Sequence, residues 1–85
     1  MVKREVTVNL DGGLEATPTA LLVQKASAFE SSIYIEMKEG RKVNAKSIMG
    51  MMSLGAGLGD EVTITTEGSD EEEAAEALVN YLSGE

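Results

Sequence analysis

The sequence contains neither cysteine nor histidine. Their absence excludes disulfide bridges, thiol nucleophiles, imidazole bases and the usual zinc ligand sets. Carboxylates, hydroxyls, lysines and backbone amides are the groups that remain for chemistry. The composition therefore predicts neither a metal site nor a bound cofactor.

Long apolar stretches are also missing. Charged residues stand at positions 3 to 5, and no later segment approaches the roughly 20 consecutive apolar residues that a membrane span requires. All seven lysines and arginines lie in residues 1–46, whereas residues 47–85 contain nine acidic residues and no base. With a net charge of −8, the chain is not expected to bind the phosphate backbone of a nucleic acid. We expect a soluble cytoplasmic protein that does not associate with membranes.

Apolar and polar residues alternate in four segments, which is typical of half-buried strands. The segments cover residues 2–10, 32–38, 41–44 and 61–65. The second and third are expected to form a hairpin, because a Glu-Gly pair separates them.

Three other segments are predicted to be helical. A helix over residues 16–28 carries a proline in its first turn, where the missing N–H is not needed. Ser47 is expected to cap a short second helix, which the glycines from position 55 onward would end. Residues 69–72, Ser-Asp-Glu-Glu, match a capping box at the start of a third helix.

The predicted order of elements is β-α-β-β-α-β-α, and each strand has a single apolar face. This pattern favours an α+β fold, an open-faced β-sandwich with a four-stranded antiparallel sheet and three helices on one face. Eighty-five residues are too few for two independent cores, so residues 1–85 are expected to form a single domain.

Two segments with biased composition resemble ligand sites, but their spacing does not support that interpretation. Residues 50–59 contain four glycines, yet they lack the lysine and hydroxyl residue of a phosphate-binding loop. The four consecutive acids at 70–73 would point in different directions on a helix, so they are not expected to converge on a metal ion. Helix termination and stabilisation of a helix dipole explain these segments.

The predicted second helix is rich in apolar residues: Ile48, Met49, Met51, Met52 and Leu54. A two-turn helix cannot bury so many side chains on one face, so some are expected to be exposed and to form a docking surface. The alternative is ordinary core packing of all of them.

The residues themselves leave two interpretations of Ser47 open. As a helix cap, its hydroxyl would contribute about 1 kcal/mol. As a phosphorylation site, it would gain a charge of about −2 beside a helix N-terminus, where that charge is tolerated.

Two segments resemble those of a known family, the HPr phosphocarriers of the bacterial sugar phosphotransferase system. Residues 13–24, GLEATPTALLVQ, resemble the active-site segment of the family, and residues 43–54, VNAKSIMGMMSL, resemble its regulatory serine segment. The resemblance extends over essentially the whole chain, and it implies the same open-faced β-sandwich.

The active-site segment departs from the family at two positions. Glu15 stands where the family has its phosphate-accepting histidine, and Thr17 stands where it has an arginine. The resemblance therefore implies a protein that cannot carry phosphohistidine and has no catalytic residue. Within the family, the nearer functional analogues are the Crh members, which also lack the histidine and keep the serine, although they usually carry glutamine and arginine at the same two positions.

For a Crh-like protein, the resemblance implies that HPr kinase/phosphorylase phosphorylates Ser47. The product would dock on a CcpA-type transcription regulator in carbon catabolite repression. The residues expected to bind partners are Glu15, Thr17, Ala20, Leu21, Gln24, Lys46, Ile48, Met49 and Met52. Enzyme I and IIA proteins are further expected partners, without phosphotransfer, and Glu15 could crudely imitate a phosphorylated histidine.

The leading hypothesis is a regulatory binding protein that is not an enzyme. One alternative is a phosphocarrier whose active site has been substituted, in nature or by engineering. Another is a structural or oligomerising domain that keeps the Ser47 segment for folding. The sequence leaves both alternatives open.

Overall fold

The computed structural model describes residues 1–10 and 16–84. Seven elements follow one another in the predicted order. They are β1 (Val2–Thr7), α1 (Ala16–Ser27), β2 (Ser32–Met37), β3 (Lys42–Asn44), α2 (Ile48–Leu54), β4 (Glu61–Glu67) and α3 (Glu71–Ser83).

The four strands form one antiparallel sheet in the order β1-β4-β2-β3. Alternation along each strand places Val6, Ile35 and Ile64 on the buried face, whereas Glu5 and Tyr34 are exposed on the other. α3 packs on β1 and β4, α2 packs on β3, and α1 packs on the other two helices. The predicted open-faced α+β fold is confirmed.

The core lies between the sheet and the helices. Its largest fully buried side chains are Leu22, Ile33, Ile35, Met51, Leu54, Ile64, Leu78 and Leu82. Six of the seven elements contribute buried residues to the hydrophobic cluster, and the short β3 packs on it through the partly buried Val43. In the described part of the chain, no helix is long and apolar enough to cross a membrane.

Two strands differ from the predicted length by more than one residue, whereas β2 and β3 are each one residue shorter than predicted. β1 ends at Thr7 rather than at residue 10, because the next residues bond outside the ladder: the N–H of Asn9 donates to the carbonyl oxygen of Leu82 at 2.7 Å. β4 continues to Glu67, two residues beyond the predicted end, because Thr66 pairs with both Val2 and Ile33 and Glu67 still pairs with Ser32. The predicted turn after the first strand falls in residues 11–13, which lie outside the described residues.

The capping box predicted at residues 69–72 is wrong by one residue. α3 begins at Glu71 with Asp70 as the N-cap residue, and the Asp70 side chain makes no capping bond. The bond that reaches back along the chain is made by Glu71, whose Oε1 accepts from the N–H of Gly68 at 3.1 Å. The Asp70 side chain is not available for capping, because another pair of backbone N–H groups binds its carboxylate.

Those N–H groups belong to the turn between α1 and β2. Asp70 accepts hydrogen bonds from the N–H groups of Glu30 and Ser31, each at 2.9 Å, and from the Ser31 hydroxyl. Gly68 makes the close approach possible: a Cβ at this residue, whose φ is +152°, would lie 2.7 Å from the Cα of Ser31. A polar link therefore joins two turns that are far apart in sequence.

Candidate functional site

Ser47 is the N-cap of α2, as predicted. Its backbone is extended, its Oγ accepts from the N–H of Gly50 at 3.1 Å, and its carbonyl oxygen accepts from the N–H of Met51 at 2.9 Å. The residue is only partly buried. The hydroxyl thus satisfies a backbone group of the first turn while remaining at the protein surface.

α2 exposes one side of its apolar residues and buries the other. Met51 and Leu54 are buried in the core, whereas Ile48, Met49 and Met52 are 42%, 81% and 58% exposed. The expectation that part of this helix would be exposed is confirmed, and the alternative in which all its apolar residues fill the core is wrong. Leu21 on α1, the helix that packs against α2, is also 45% exposed. We call Leu21, Ile48, Met49 and Met52 the docking patch.

The C-terminus of α2 is capped by a side chain that the sequence analysis did not predict, that of Arg41. Nη1 of Arg41 donates to the carbonyl oxygens of Ser53 and Leu54, at 3.0 and 3.1 Å. Gly55, at φ +69°, adds the left-handed backbone typical of a helix end. A cation at this end also complements the helix dipole. No local pattern indicates this role, because Arg41 is twelve residues away from Ser53 in sequence.

Both the side chain and the backbone of Lys46, the residue before Ser47, form hydrogen bonds within the protein. Its Nζ donates to the carbonyl oxygen of Phe29 at 2.7 Å, and its backbone N–H donates to Oδ1 of Asn44 at 2.8 Å. The ammonium group therefore ties the segment before α2 to the turn that follows α1. A partner carboxylate that paired with Lys46 would have to share or replace this bond.

The start of α1 is anchored on α3. The Tyr81 hydroxyl donates to the carbonyl oxygen of Pro18 at 3.0 Å, and burial raises the pKa of this hydroxyl. Nζ of Lys25 lies 5.4 Å from the centre of the Tyr81 ring, within the range of a cation–π contact. α3 thereby fixes the orientation of the helix that carries part of the docking patch.

The other predicted partner-binding residues are distributed over α1. Thr17, Ala20 and Gln24 are exposed. Glu15 lies outside the described residues, so its place relative to the docking patch stays a prediction. α1 and α2 pack against each other, which brings the two predicted binding segments into one region of the surface.

Comparison with known proteins identifies the class. The family model for the PTS HPr component phosphorylation site matches residues 2–83. The HPr-like protein Crh of Halalkalibacterium halodurans is 55% identical over 85 residues, which cover all of both chains. The chain belongs to the HPr family.

Solved structures agree with this assignment. The phosphocarrier protein HPr of Bacillus anthracis superposes with a TM-score of 0.92 at 57% identity, over 95% of each chain. Crh of Bacillus subtilis, which was crystallised as a domain-swapped dimer, superposes with a TM-score of 0.80 at 52% identity, over 100% of this chain and 97% of that one. Together with the absence of histidine, the relatives named Crh make this chain a Crh-like member of the family.

Proposed function

We propose that this protein is a regulatory component of the bacterial sugar phosphotransferase system whose switch is Ser47. HPr kinase/phosphorylase would phosphorylate Ser47, and the product would bind a CcpA-type transcription regulator in carbon catabolite repression. The observation that carries the proposal is the junction of a partly exposed serine with an exposed apolar helix face. Because the reaction consumes ATP, the proposal places the protein in the cytoplasm.

The position of Ser47 suits a reversible modification. In phosphorylation, the γ-phosphoryl group of ATP forms a bond to Oγ of Ser47, its bond to ADP breaks so that ADP leaves, and the hydroxyl proton passes to a base of the kinase. The product adds about −2 charge at the N-terminus of α2, where free N–H groups and the helix dipole favour an anion. A phosphate oxygen can replace Oγ as the acceptor for the N–H of Gly50, so modification need not unfold the helix.

The docking patch supplies the remainder of the binding surface in this proposal. Burial of Ile48, Met49 and Met52 against a partner removes apolar area from water, and unbranched methionine side chains adapt to the partner's shape. Arginines of the regulator would pair with the phosphate through charge-assisted hydrogen bonds. Binding to the regulator would then require both the phosphate charge on Ser47 and the docking patch.

Phosphohistidine transfer is not part of the proposal, because the chain contains no histidine. Binding to enzyme I or to a IIA protein without phosphotransfer is compatible with it. If Glu15 imitates a phosphorylated acceptor, Glu15→Gln should weaken that binding. Unchanged affinity would reject the imitation.

The test is incubation with HPr kinase/phosphorylase and ATP, followed by intact-mass measurement. We expect the gain of one phosphate in the parent chain and none in Ser47→Asn. Asparagine removes the hydroxyl but caps a helix about as well as serine, so the control isolates the chemistry from the stability. An unmodified parent chain would reject the proposal.

Self-association is a second candidate function. β1 is an outer strand of the sheet, and the B. subtilis relative was crystallised as a domain-swapped dimer. Light scattering of the parent and of Met49→Lys separates the two possible surfaces. A dimer that dissociates on substitution would involve the patch, a dimer that persists would involve the strand edge, and a monomer would reject this candidate.

A further inference from the structure

Three methionines on one short helix differ sharply in exposure. Met49 is 81% exposed and Met52 is 58% exposed, whereas Met51 between them is fully buried. Met49 and Met52 are three residues apart, so they lie on the same side of α2. The oxidisable sulfurs at the surface of this helix are therefore those of the docking patch.

We propose that Met49 and Met52 form a reversible oxidation site that regulates docking at the patch. This inference rests on the proposed function, since it concerns the same surface. Hydrogen peroxide would oxidise each thioether to a sulfoxide: a sulfur–oxygen bond forms, the O–O bond of the peroxide breaks, and one water leaves. Sulfur loses two electrons and the peroxide gains them. Methionine sulfoxide reductases reverse the modification in cells.

Oxidation at this place would change binding without unfolding the protein. A sulfoxide replaces an apolar side chain with a polar one, and its oxygen loses its water when a partner covers it. One such unpaired buried acceptor corresponds to a loss of about tenfold in affinity. The fold would remain because Met51 and Leu54, which anchor α2 in the core, are shielded from the oxidant.

The selective oxidation of Met49 and Met52 over Met51 can be tested on the protein alone, without a binding partner. The protein is treated with dilute hydrogen peroxide, and its digested peptides are mapped by mass over time. Met49 and Met52 are expected to gain oxygen before Met51, and Met1, which is 69% exposed, provides an internal standard for an accessible methionine. The thermal midpoint should not fall when the two patch methionines are modified. Equal oxidation of Met51, or a fallen midpoint at that stage, would overturn the inference.

The effect on docking is tested with HPr kinase/phosphorylase as the probe. We expect the oxidised parent to be phosphorylated about tenfold more slowly at low protein concentration, and methionine sulfoxide reductase to restore the rate. The double variant Met49→Leu/Met52→Leu keeps apolar side chains of similar volume, so peroxide should leave its rate unchanged. An unchanged rate in the oxidised parent, or an equal loss in the double variant, would overturn the inference. If even the unoxidised parent is not phosphorylated, the proposed function fails and the regulatory inference fails with it, whereas the peptide map still reports separately on the oxidation site.

Discussion

The carboxylate of Asp70 holds Ser31 by its backbone N–H and by its hydroxyl, although 39 residues separate the two in sequence. These bonds, that from the Ser31 hydroxyl foremost, hold the pKa of the Asp70 carboxyl below its ordinary value. The pair joins the turn before β2 to the turn before α3, beside the point where the start of β2 pairs with the end of β4.

This relationship predicts a pH dependence of stability. Because the pKa of Asp70 is lowered by folding, the unfolded chain binds the proton more readily than the folded chain does. The stabilisation is fully present above the ordinary aspartate pKa of about 4, and it is lost as pH falls through the lowered value. Urea denaturation as a function of pH should show this loss.

Asp70→Asn is the variant that isolates this contribution. It should lower the urea midpoint at neutral pH, and the difference from the parent should shrink as the solution is acidified. Glu71→Gln is needed beside it, because the N–H of Gly68 lowers the pKa of the Glu71 carboxyl as well. A difference between Asp70→Asn and the parent that stays constant with pH would contradict the assignment.

Arg41 should be important for the stability of α2. Arg41→Met removes both hydrogen bonds to the last turn and is expected to lower the free energy of unfolding by about 1–2 kcal/mol. Arg4→Met is a matched control, because Arg4 is an exposed cation on β1, and its loss should change stability by less than about 0.5 kcal/mol. If thermal denaturation shows the same loss of stability for both substitutions, the hydrogen bonds of Arg41 to the last turn of α2 do not stabilise the helix.

The sequence predicted features that depend on residues close together in the chain, and it did not predict those that depend on distant residues. The cap at Ser47 and the helix end at Gly55 involve neighbours within a few residues, and both are found where the pattern placed them. The bonds of Arg41 to α2 and of Asp70 to Ser31 join distant segments, so no spacing indicates them. The bonds of Asp70 to Glu30 and Ser31 also explain why its carboxylate does not cap α3.

The docking patch also could be predicted only in part from the sequence. Composition indicated that α2 has more apolar residues than one face can bury, but it did not identify which methionine enters the core. That choice depends on how α2 lies against α1 and β3, which is a property of the tertiary structure. Glu15 lies outside the described residues, so its place beside the docking patch stays a prediction from the resemblance.

Thr19 presents a buried hydroxyl without a hydrogen-bond partner among the described residues. Valine has nearly the same shape and a similar helix propensity, so Thr19→Val should raise the free energy of unfolding by about 1 kcal/mol through removal of an unsatisfied group. Thr19→Ser keeps the hydroxyl and loses the methyl group, and it should be destabilising. Chemical denaturation of the three proteins gives the order, and a less stable Thr19→Val would show that the hydroxyl has a partner in solution.

Met49 and Met51 should separate docking from folding on the same helix. Met51→Ala leaves a cavity in the core and should cost about 2–5 kcal/mol of stability, whereas Met49→Ala should change stability by less than about 0.5 kcal/mol. Met49→Ala should instead slow the phosphorylation of Ser47, because it removes the most exposed apolar side chain of the docking patch. Thermal denaturation and the kinase assay are measured on both variants. If Met49→Ala is phosphorylated as fast as the parent while its stability is unchanged, the Met49 side chain makes no contact with the kinase, and the docking surface must be sought among the other exposed residues of α1 and α2.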